Sequence, residues 1–122
     1  MVKSLRMVRL EEQFKRDLGE LVLSRMRDPR IKDTTVMGVE ISPEFDYARV
    51  FVSIIGDKKT KKTVLEVLGN ASGFLRSELS NIIKIRRMPK LRFMLDDTIE
   101  HSMKIDRILS DLGFPREDNN DE

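Results

Sequence analysis

The stretch from Thr63 to Phe93 places the strongest constraint on the fold of this chain of 122 residues. Its apolar residues recur at helical spacing, but Gly69 and Gly73 interrupt the pattern four residues apart. Because each glycine inside a helix costs about 1 kcal/mol relative to alanine, the pair predicts a bend at Ala71, Ser72 and Gly73. Close packing by a neighbouring element is the alternative reason for small residues at these positions.

A hairpin before this stretch and a strand at its end are predicted to form a three-stranded sheet. The first two strands are joined by a loop of five residues, Ser42–Asp46, which favours antiparallel pairing. The helical stretch is long enough to cross over the sheet, so the third strand can run parallel to one of the first two. The side chains predicted to face the core are Thr35, Met37, Val39 and Ile41 in the first strand, Ala48, Val50, Val52 and Ile54 in the second, and Leu91, Phe93 and Leu95 in the third.

Amphipathic helices are predicted at both ends of the chain. The first is capped by Ser4 and ends before Pro29, and the last starts near Asp97 and ends at Gly113. The element order is therefore helix, strand, strand, bent helix pair, strand and helix. This order predicts an α+β fold with the helices on one face of a mixed sheet. We expect one domain over residues 1–113 and an acidic, disordered tail over residues 114–122.

The residue types that most enzymes and metal sites need are scarce in this chain. It has no cysteine and a single histidine, His101, and it lacks both a Gly-x-Ser-x-Gly motif and a phosphate-binding Gly-x-x-x-x-Gly-Lys motif. No apolar run approaches the roughly 20 residues of a membrane span. We therefore expect a cytoplasmic monomer with no cofactor, no metal, no membrane partner and no catalytic activity.

Charge is divided unevenly along the sequence. Residues 1–92 hold 20 Lys and Arg against 12 Asp and Glu, a balance of +8, whereas residues 93–122 hold 3 against 9, a balance of −6. A basic body favours a polyanionic partner such as a nucleic acid. Solubility alone is the alternative explanation, because runs of charge most often face water.

Two basic runs are the candidate nucleic-acid contacts. Lysines open the first half of the bent helical stretch, where they oppose the helix dipole and a bound phosphate would relieve that cost. Arginines and lysines also follow the second half into the third strand, where arginine forks can hold phosphates in two-point contacts. The predicted contacts are Lys58, Lys59, Lys61, Lys62, Arg76, Lys84, Arg86, Arg87, Lys90 and Arg92. Charge by itself does not separate RNA from DNA.

Few aromatic residues are placed to stack on bases. Phe14, Phe74 and Phe93 are predicted to lie in the core, and only Tyr47 and Phe51 project from the outer face of the sheet. Proteins that read single-stranded RNA usually stack its bases on exposed aromatic rings. The pattern therefore predicts a protein that reads the phosphate backbone and its shape rather than the bases.

Four groups of residues carry a family resemblance. They are Arg6–Arg9, then Val39–Ala48 with Val50–Ser53, then Ala71–Leu79, and last Arg87–Phe93. In this order and spacing they resemble bacterial ribosome-binding factor A, a family of small-subunit assembly factors, over about residues 3–112. The resemblance implies a type II KH-like fold. Ordinary KH domains clamp the nucleic-acid backbone with a Gly-x-x-Gly loop, which this chain lacks; the family has an Ala-x-Gly kink at that place, and Ala71, Ser72 and Gly73 fit it.

The same resemblance implies partners and a role. The expected partners are the small ribosomal subunit, its 16S rRNA and other assembly factors. The expected role is late maturation and processing of the 16S rRNA 5′ region, especially in the cold, followed by departure before the subunit enters translation. Two alternatives stay open from the sequence: a general KH-like RNA-binding protein, and an adaptor whose basic surface meets an acidic protein.

Overall fold

The computed structural model of the chain describes residues 3–96, which form three α-helices and three β-strands. These are α1 (Leu5–Arg25), β1 (Thr34–Ile41), β2 (Tyr47–Ile54), α2 (Lys58–Asn70), α3 (Ser72–Ile82) and β3 (Lys90–Leu95), with a short 3-10 turn, Pro29–Ile31, between α1 and β1. The predicted last helix, from Asp97 to Gly113, and the predicted tail over 114–122 lie outside the described residues. None of the described helices is both long enough and apolar enough to cross a membrane.

The sheet has the order β1-β2-β3, so the middle strand pairs with both of its neighbours. β1 and β2 are antiparallel, as the short loop predicts. β3 runs parallel to β2, from Lys90 opposite Tyr47 to Leu95 opposite Val52. α2 and α3 form the crossover between the parallel strands and pack against β3, while α1 packs against β1. The predicted α+β fold with a mixed three-stranded sheet is confirmed.

β1 carries a β-bulge, and this bulge changes which of its alternating residues face the core. Even-numbered residues are buried before the bulge and odd-numbered residues after it. Its pairing with β2 shifts between Val36 and Gly38, which leaves Met37 without an opposite residue. The buried side chains of β1 are consequently Thr34, Val36, Val39 and Ile41. The predicted inward positions of Thr35 and Met37 are wrong, since both side chains are exposed. A glycine inside a strand is the sequence signal for such a bulge.

α1 is fixed at its start by a cap and by a buried carboxylate. The Ser4 hydroxyl accepts a hydrogen bond from the Met7 N–H at 3.1 Å, as the sequence predicts. The buried Glu11 accepts hydrogen bonds from the Ile41 N–H at 2.8 Å and from Lys3 Nζ at 2.9 Å. This carboxylate satisfies a backbone donor at the end of β1 and ties the start of α1 to that end of the sheet. The buried apolar side chains of α1 are Phe14, Leu18, Leu21 and Val22.

α3 buries a narrower face than its apolar content predicts. Leu75 and Leu79, four residues apart, are completely buried. Phe74, one residue before Leu75, lies off this face and is 45% exposed, and Ile82, the last residue of the helix, is 49% exposed. The prediction that Phe74 belongs to the core is therefore wrong. Its ring instead lies under the Arg25 guanidinium of α1, 5.9 Å from the ring centre.

The helix bend falls where the glycine spacing predicts it. α2 ends at Asn70, α3 begins at Ser72, and Ala71 between them has φ −91° and ψ 0°. A β-carbon built on Gly69 or Gly73 would meet no atom within 4 Å, so close packing is not the reason for either glycine. The bend is confirmed, and the packing alternative is excluded.

Replacing Gly69 with alanine should stabilise the protein. The position is helical and has open space for a methyl group, so the change removes mainly the entropic cost of glycine. We expect the free energy of unfolding, measured by urea denaturation, to rise by about 0.5–1 kcal/mol. Gly56→Ala is the contrasting variant and should lower it, because Gly56 has φ +147° and an added β-carbon would lie 2.7 Å from Thr60 Cγ2. A Gly69→Ala protein less stable than the wild type would contradict the assignment.

Candidate nucleic-acid interface

Three segments that are distant in the sequence meet at one end of the sheet and line a cleft of about 930 Å³. They are the start of α1, the β1–β2 loop at Glu44 and Phe45, and residues 83–87, which lead from α3 towards β3. The basic side chains that line this cleft, all exposed, are Arg6, Arg9, Lys84, Arg86 and Arg87. Glu44 is the one acidic residue among the described residues that line it. We call this site the basic cleft.

The connection between α3 and β3, residues 83–89, alternates between the core and the solvent. Ile83 and Pro89 are buried, and Ile85 and Met88 are half-buried. The exposed members are Lys84, Arg86 and Arg87. The apolar residues anchor the segment against the core, and this arrangement turns the cations between them outward. The basic run at residues 84–87 is therefore held in a defined position, where it forms one side of the basic cleft.

Arg76 of α3 fastens this connection in place. Its Nε donates to the carbonyl oxygens of Met88 at 3.2 Å and Pro89 at 3.1 Å, and its Nη2 donates to the Met88 oxygen at 2.6 Å. Because the planar guanidinium offers donors in a fixed fork, one side chain can hold two consecutive carbonyls just before β3 begins. The structure thus gives Arg76 a contact within the protein that sequence reasoning did not foresee.

Asp46 couples the β1–β2 loop to both the connection and β3. Its Oδ1 accepts a hydrogen bond from Arg87 Nη2 at 2.6 Å, and its backbone oxygen accepts one from the Lys90 N–H at 3.0 Å. Both partners of the Arg87–Asp46 pair are substantially exposed, so water screens their attraction and a phosphate could compete for Arg87.

Lys90 and Arg92 lie on the outer face of the sheet rather than in the basic cleft. The Arg92 guanidinium sits 3.8 Å from the centre of the Tyr47 ring, which is close enough for a cation–π contact. On the same face, Arg49 pairs with Glu40 at 2.7 Å. The cations of β3 are thus accessible, but one of them already covers Tyr47, which is one of the two aromatic rings that the sequence offers for stacking.

The lysine cluster, which consists of Lys58, Lys59, Lys61 and Lys62, lies in the first turns of α2. α2 follows the far end of β2, an eight-residue strand that spans roughly 25 Å, so the cluster is distant from the basic cleft. Asp57 caps this helix by accepting a hydrogen bond from the Thr60 N–H at 2.8 Å. The same bond lowers the pKa of the Asp57 carboxyl, and its charge offsets part of the conflict between the lysines and the helix dipole.

The structure therefore distributes the ten predicted contacts instead of gathering them. Lys84, Arg86 and Arg87 meet in the basic cleft, whereas Arg76, the cations of β3 and the lysine cluster occupy other places. Arg6 and Arg9 of α1 also line the cleft, although they are not among the ten predicted contacts. Phe45 was not predicted to be part of the site; its one signal in the sequence was an apolar residue inside a polar loop.

Within residues 3–96, no three His, Cys, Asp or Glu side chains are grouped to hold a metal.

Comparison with known proteins gives one consistent family. A model of the family described as ribosome-binding factor A matches residues 6–109. The chain is similar to the crystal structure of ribosome-binding factor A from Thermus thermophilus, with 29% identity over 73% of this chain and 94% of that chain, and a TM-score of 0.67. It is also similar to a Thermotoga maritima protein described as a ribosome binding factor A, with 33% identity over 77% and 90% and a TM-score of 0.67.

A third similar structure comes from a ribosomal complex. It is a homology model of the Thermus thermophilus factor fitted into a cryo-electron-microscopy map of a 30S complex. Its identity to this chain is 29%, over 73% of this chain and 93% of that chain, with a TM-score of 0.62. All three structures are covered almost completely by the present chain, so the likeness extends over a whole domain.

Arg76→Lys should weaken the attachment of residues 88–89 to α3 and so destabilise the start of β3. A lysine is a single point of charge and cannot hold two carbonyls as the guanidinium fork does. We expect the free energy of unfolding to fall by about 1 kcal/mol, and the Lys90 amide to exchange with deuterium faster. Arg25→Lys is the matched control, because Arg25 forms a surface pair with Glu78 at 3.1 Å, and it should change stability by less than about 0.5 kcal/mol. Unchanged exchange at Lys90 in Arg76→Lys would show that the fork does not hold the strand.

Proposed function

The chain belongs to the ribosome-binding factor A family, and from this membership we propose that it binds the small ribosomal subunit through the phosphates of its 16S rRNA. The observation that carries the proposal is the basic cleft, where five cations face one carboxylate. Cations that neutralise phosphates release condensed counterions, which supplies most of the affinity of such contacts. The similarity to a structure fitted into a 30S complex supports the choice of partner.

Rigidity of the cleft is the second element of the proposed mechanism. The Arg76 fork and the buried Glu11 restrain the connection and α1, and the hydrogen bond from the Lys90 N–H to the Asp46 carbonyl oxygen joins the β1–β2 loop to the start of β3. Because the cations are positioned before the RNA arrives, binding loses less conformational entropy than it would on a mobile basic tail. We propose a binding role with no catalytic step, with the lysine cluster and the outer face of β3 as further phosphate contacts.

The proposed biological role is late maturation of the small subunit in the cytoplasm. A protein that binds an immature conformation of the 16S rRNA more tightly than the mature one shifts the population towards the immature state until folding is complete. The protein would then leave, since the mature subunit offers weaker contacts. Support for the 5′ region of the rRNA, for processing and for action in the cold rests on the family resemblance.

Charge reversal in the cleft should abolish subunit binding. In Lys84→Glu with Arg86→Glu, two exposed cations of the basic cleft become anions that repel phosphate. We expect the variant not to co-sediment with free small subunits on sucrose gradients, whereas the wild type does so and prefers them to complete ribosomes. Cells that carry only this variant should accumulate precursor 16S rRNA.

The matched control is Arg27→Glu with Lys32→Glu, which makes the same change in net charge on exposed residues outside the cleft. This control should retain most of the binding. An equal loss in both variants would mean that binding follows overall charge and not the cleft. Equally tight binding of short unrelated RNAs would favour a general RNA-binding protein, and cellular complexes that survive ribonuclease would favour a protein adaptor.

The salt dependence of binding should separate Arg76 from the cleft cations. Removing one phosphate contact to single-stranded RNA reduces the slope of log affinity against log salt by about 0.7. We expect Arg86→Ala to reduce the slope by about that amount. Arg76→Ala should lower the affinity and leave the slope unchanged, because its fork is bound to backbone carbonyls. A reduced slope in Arg76→Ala would instead identify Arg76 as a phosphate contact.

A further inference from the structure

We propose that the basic cleft holds one unpaired nucleotide of the RNA, with its base on the apolar floor and its neighbouring phosphates on the basic rim. This inference rests on the proposed function, because it names the class of RNA that the same site takes. It also departs from the expectation that the protein reads only the backbone. The three residues at the helix bend, where ordinary KH domains clamp the nucleic-acid backbone, do not line the cleft.

The floor of the cleft is apolar although its rim is cationic. The apolar lining residues are Met7, Leu10, Phe45, Ile83 and Ile85, and each is buried or half-buried. These side chains also pack against the hydrophobic core, and the cleft presents part of this apolar surface between the cations. Grooves for single-stranded nucleic acids combine both features, because the cations follow the backbone while the bases lie against apolar and aromatic side chains.

Phe45 is held in the cleft against its own backbone preference. Its φ is +61°, in the left-handed region that glycine or asparagine adopts more easily than a bulky aromatic residue. The loop imposes this conformation: the Phe45 N–H donates to the Ser42 carbonyl at 2.9 Å, and the Ser42 hydroxyl accepts from the N–H groups of Asp46 and Tyr47 at 3.0 Å each. Backbone strain of this kind is concentrated at binding sites, where it fixes a side chain for use.

The two exposed aromatic side chains in residues 3–96, Tyr47 and Phe74, are less suited to a base. The Tyr47 ring is covered by the Arg92 guanidinium at 3.8 Å, so a stacked base would have to displace that contact. Phe74 is exposed, but it lies on α3 outside the cleft and beside Arg25. Phe45 is the ring that the structure places beside the arginines of the cleft.

The apolar floor of the cleft favours an unpaired nucleotide over a double helix. The cleft is an open groove of about 930 Å³, which is large enough to hold a nucleotide. A base inside a duplex remains stacked and paired, so it cannot reach an apolar floor. The cleft should therefore discriminate between an unpaired strand and a duplex that presents the same phosphates.

Fluorescence of a tryptophan introduced at the floor tests the proposal directly. The chain has no tryptophan, so Phe45→Trp creates a single reporter in the full-length protein. A short mixed-sequence single-stranded RNA should quench its emission, since a base stacks on the ring. An RNA of the same length built from abasic riboses carries the same phosphates and should leave the emission unchanged, as should a paired hairpin.

Affinity measurements on the wild type provide a second readout that needs no variant. By fluorescence anisotropy, we expect the abasic RNA to bind about tenfold more weakly than the intact strand, which is within the range found for one stacked base. Phe45→Leu keeps apolar bulk without the ring; it should lose the same factor while remaining folded and retaining the slope of affinity against salt. Phe45→Tyr, which keeps the ring, should bind as the wild type does.

Equal affinity of the wild type for the intact and the abasic RNA would overturn the proposal, because the cleft would then hold phosphates alone. The proposed function would survive that result if co-sedimentation with small subunits still depended on Lys84 and Arg86. Emission of the introduced tryptophan that does not respond to single-stranded RNA would also overturn it. Failure of the subunit experiment itself would remove both proposals.

Discussion

The hydrogen bonds from Arg76 to the carbonyls of Met88 and Pro89 fasten α3 to the residues that lead into β3. They link the end of the crossover to the point where β3 begins to pair with β2. If this point moved, the parallel register of β3 and the outward positions of Lys84 and Arg86 would change together. In the sequence, Arg76 is one more cation in a basic run; in the structure, its role is to hold the backbone carbonyls of Met88 and Pro89.

The basic cleft is a property of the fold and not of any segment. The start of α1 brings two arginines, the β1–β2 loop brings Phe45, and the connection after α3 brings three more cations. None of these segments has enough charge or apolar surface to bind RNA specifically. Glu11 is the least expected contributor, because a buried acidic residue helps to position a basic site by satisfying the Ile41 N–H and holding α1 against β1.

The spacing of apolar residues, together with the capping, glycine and proline residues that end or bend the elements, predicts most of the architecture. The antiparallel hairpin, the parallel third strand, the Ser4 cap and the bend at Ala71 are all local patterns or consequences of connection length. The wrong predictions concern which side chains are buried, where a β-bulge shifts the alternation of a strand or where contacts between elements determine burial. One extra residue at Met37 reverses the burial of the first half of β1, and Phe74 lies just beyond the packed face of α3. The site was predicted least well, because charge reports which residues are cationic and not which of them meet, so Arg76 and the lysine cluster could not be told from the cleft.

The bulge in β1 has a consequence for the behaviour of the free protein. β1 is an edge strand of the described sheet, and a regular edge offers unpaired N–H and C=O groups to the strand of another molecule. The shift between Val36 and Gly38 breaks the regular spacing of those groups and increases the local twist. The irregular spacing at Val36 and Gly38 therefore disfavours the pairing of two copies through a continuous β1 edge.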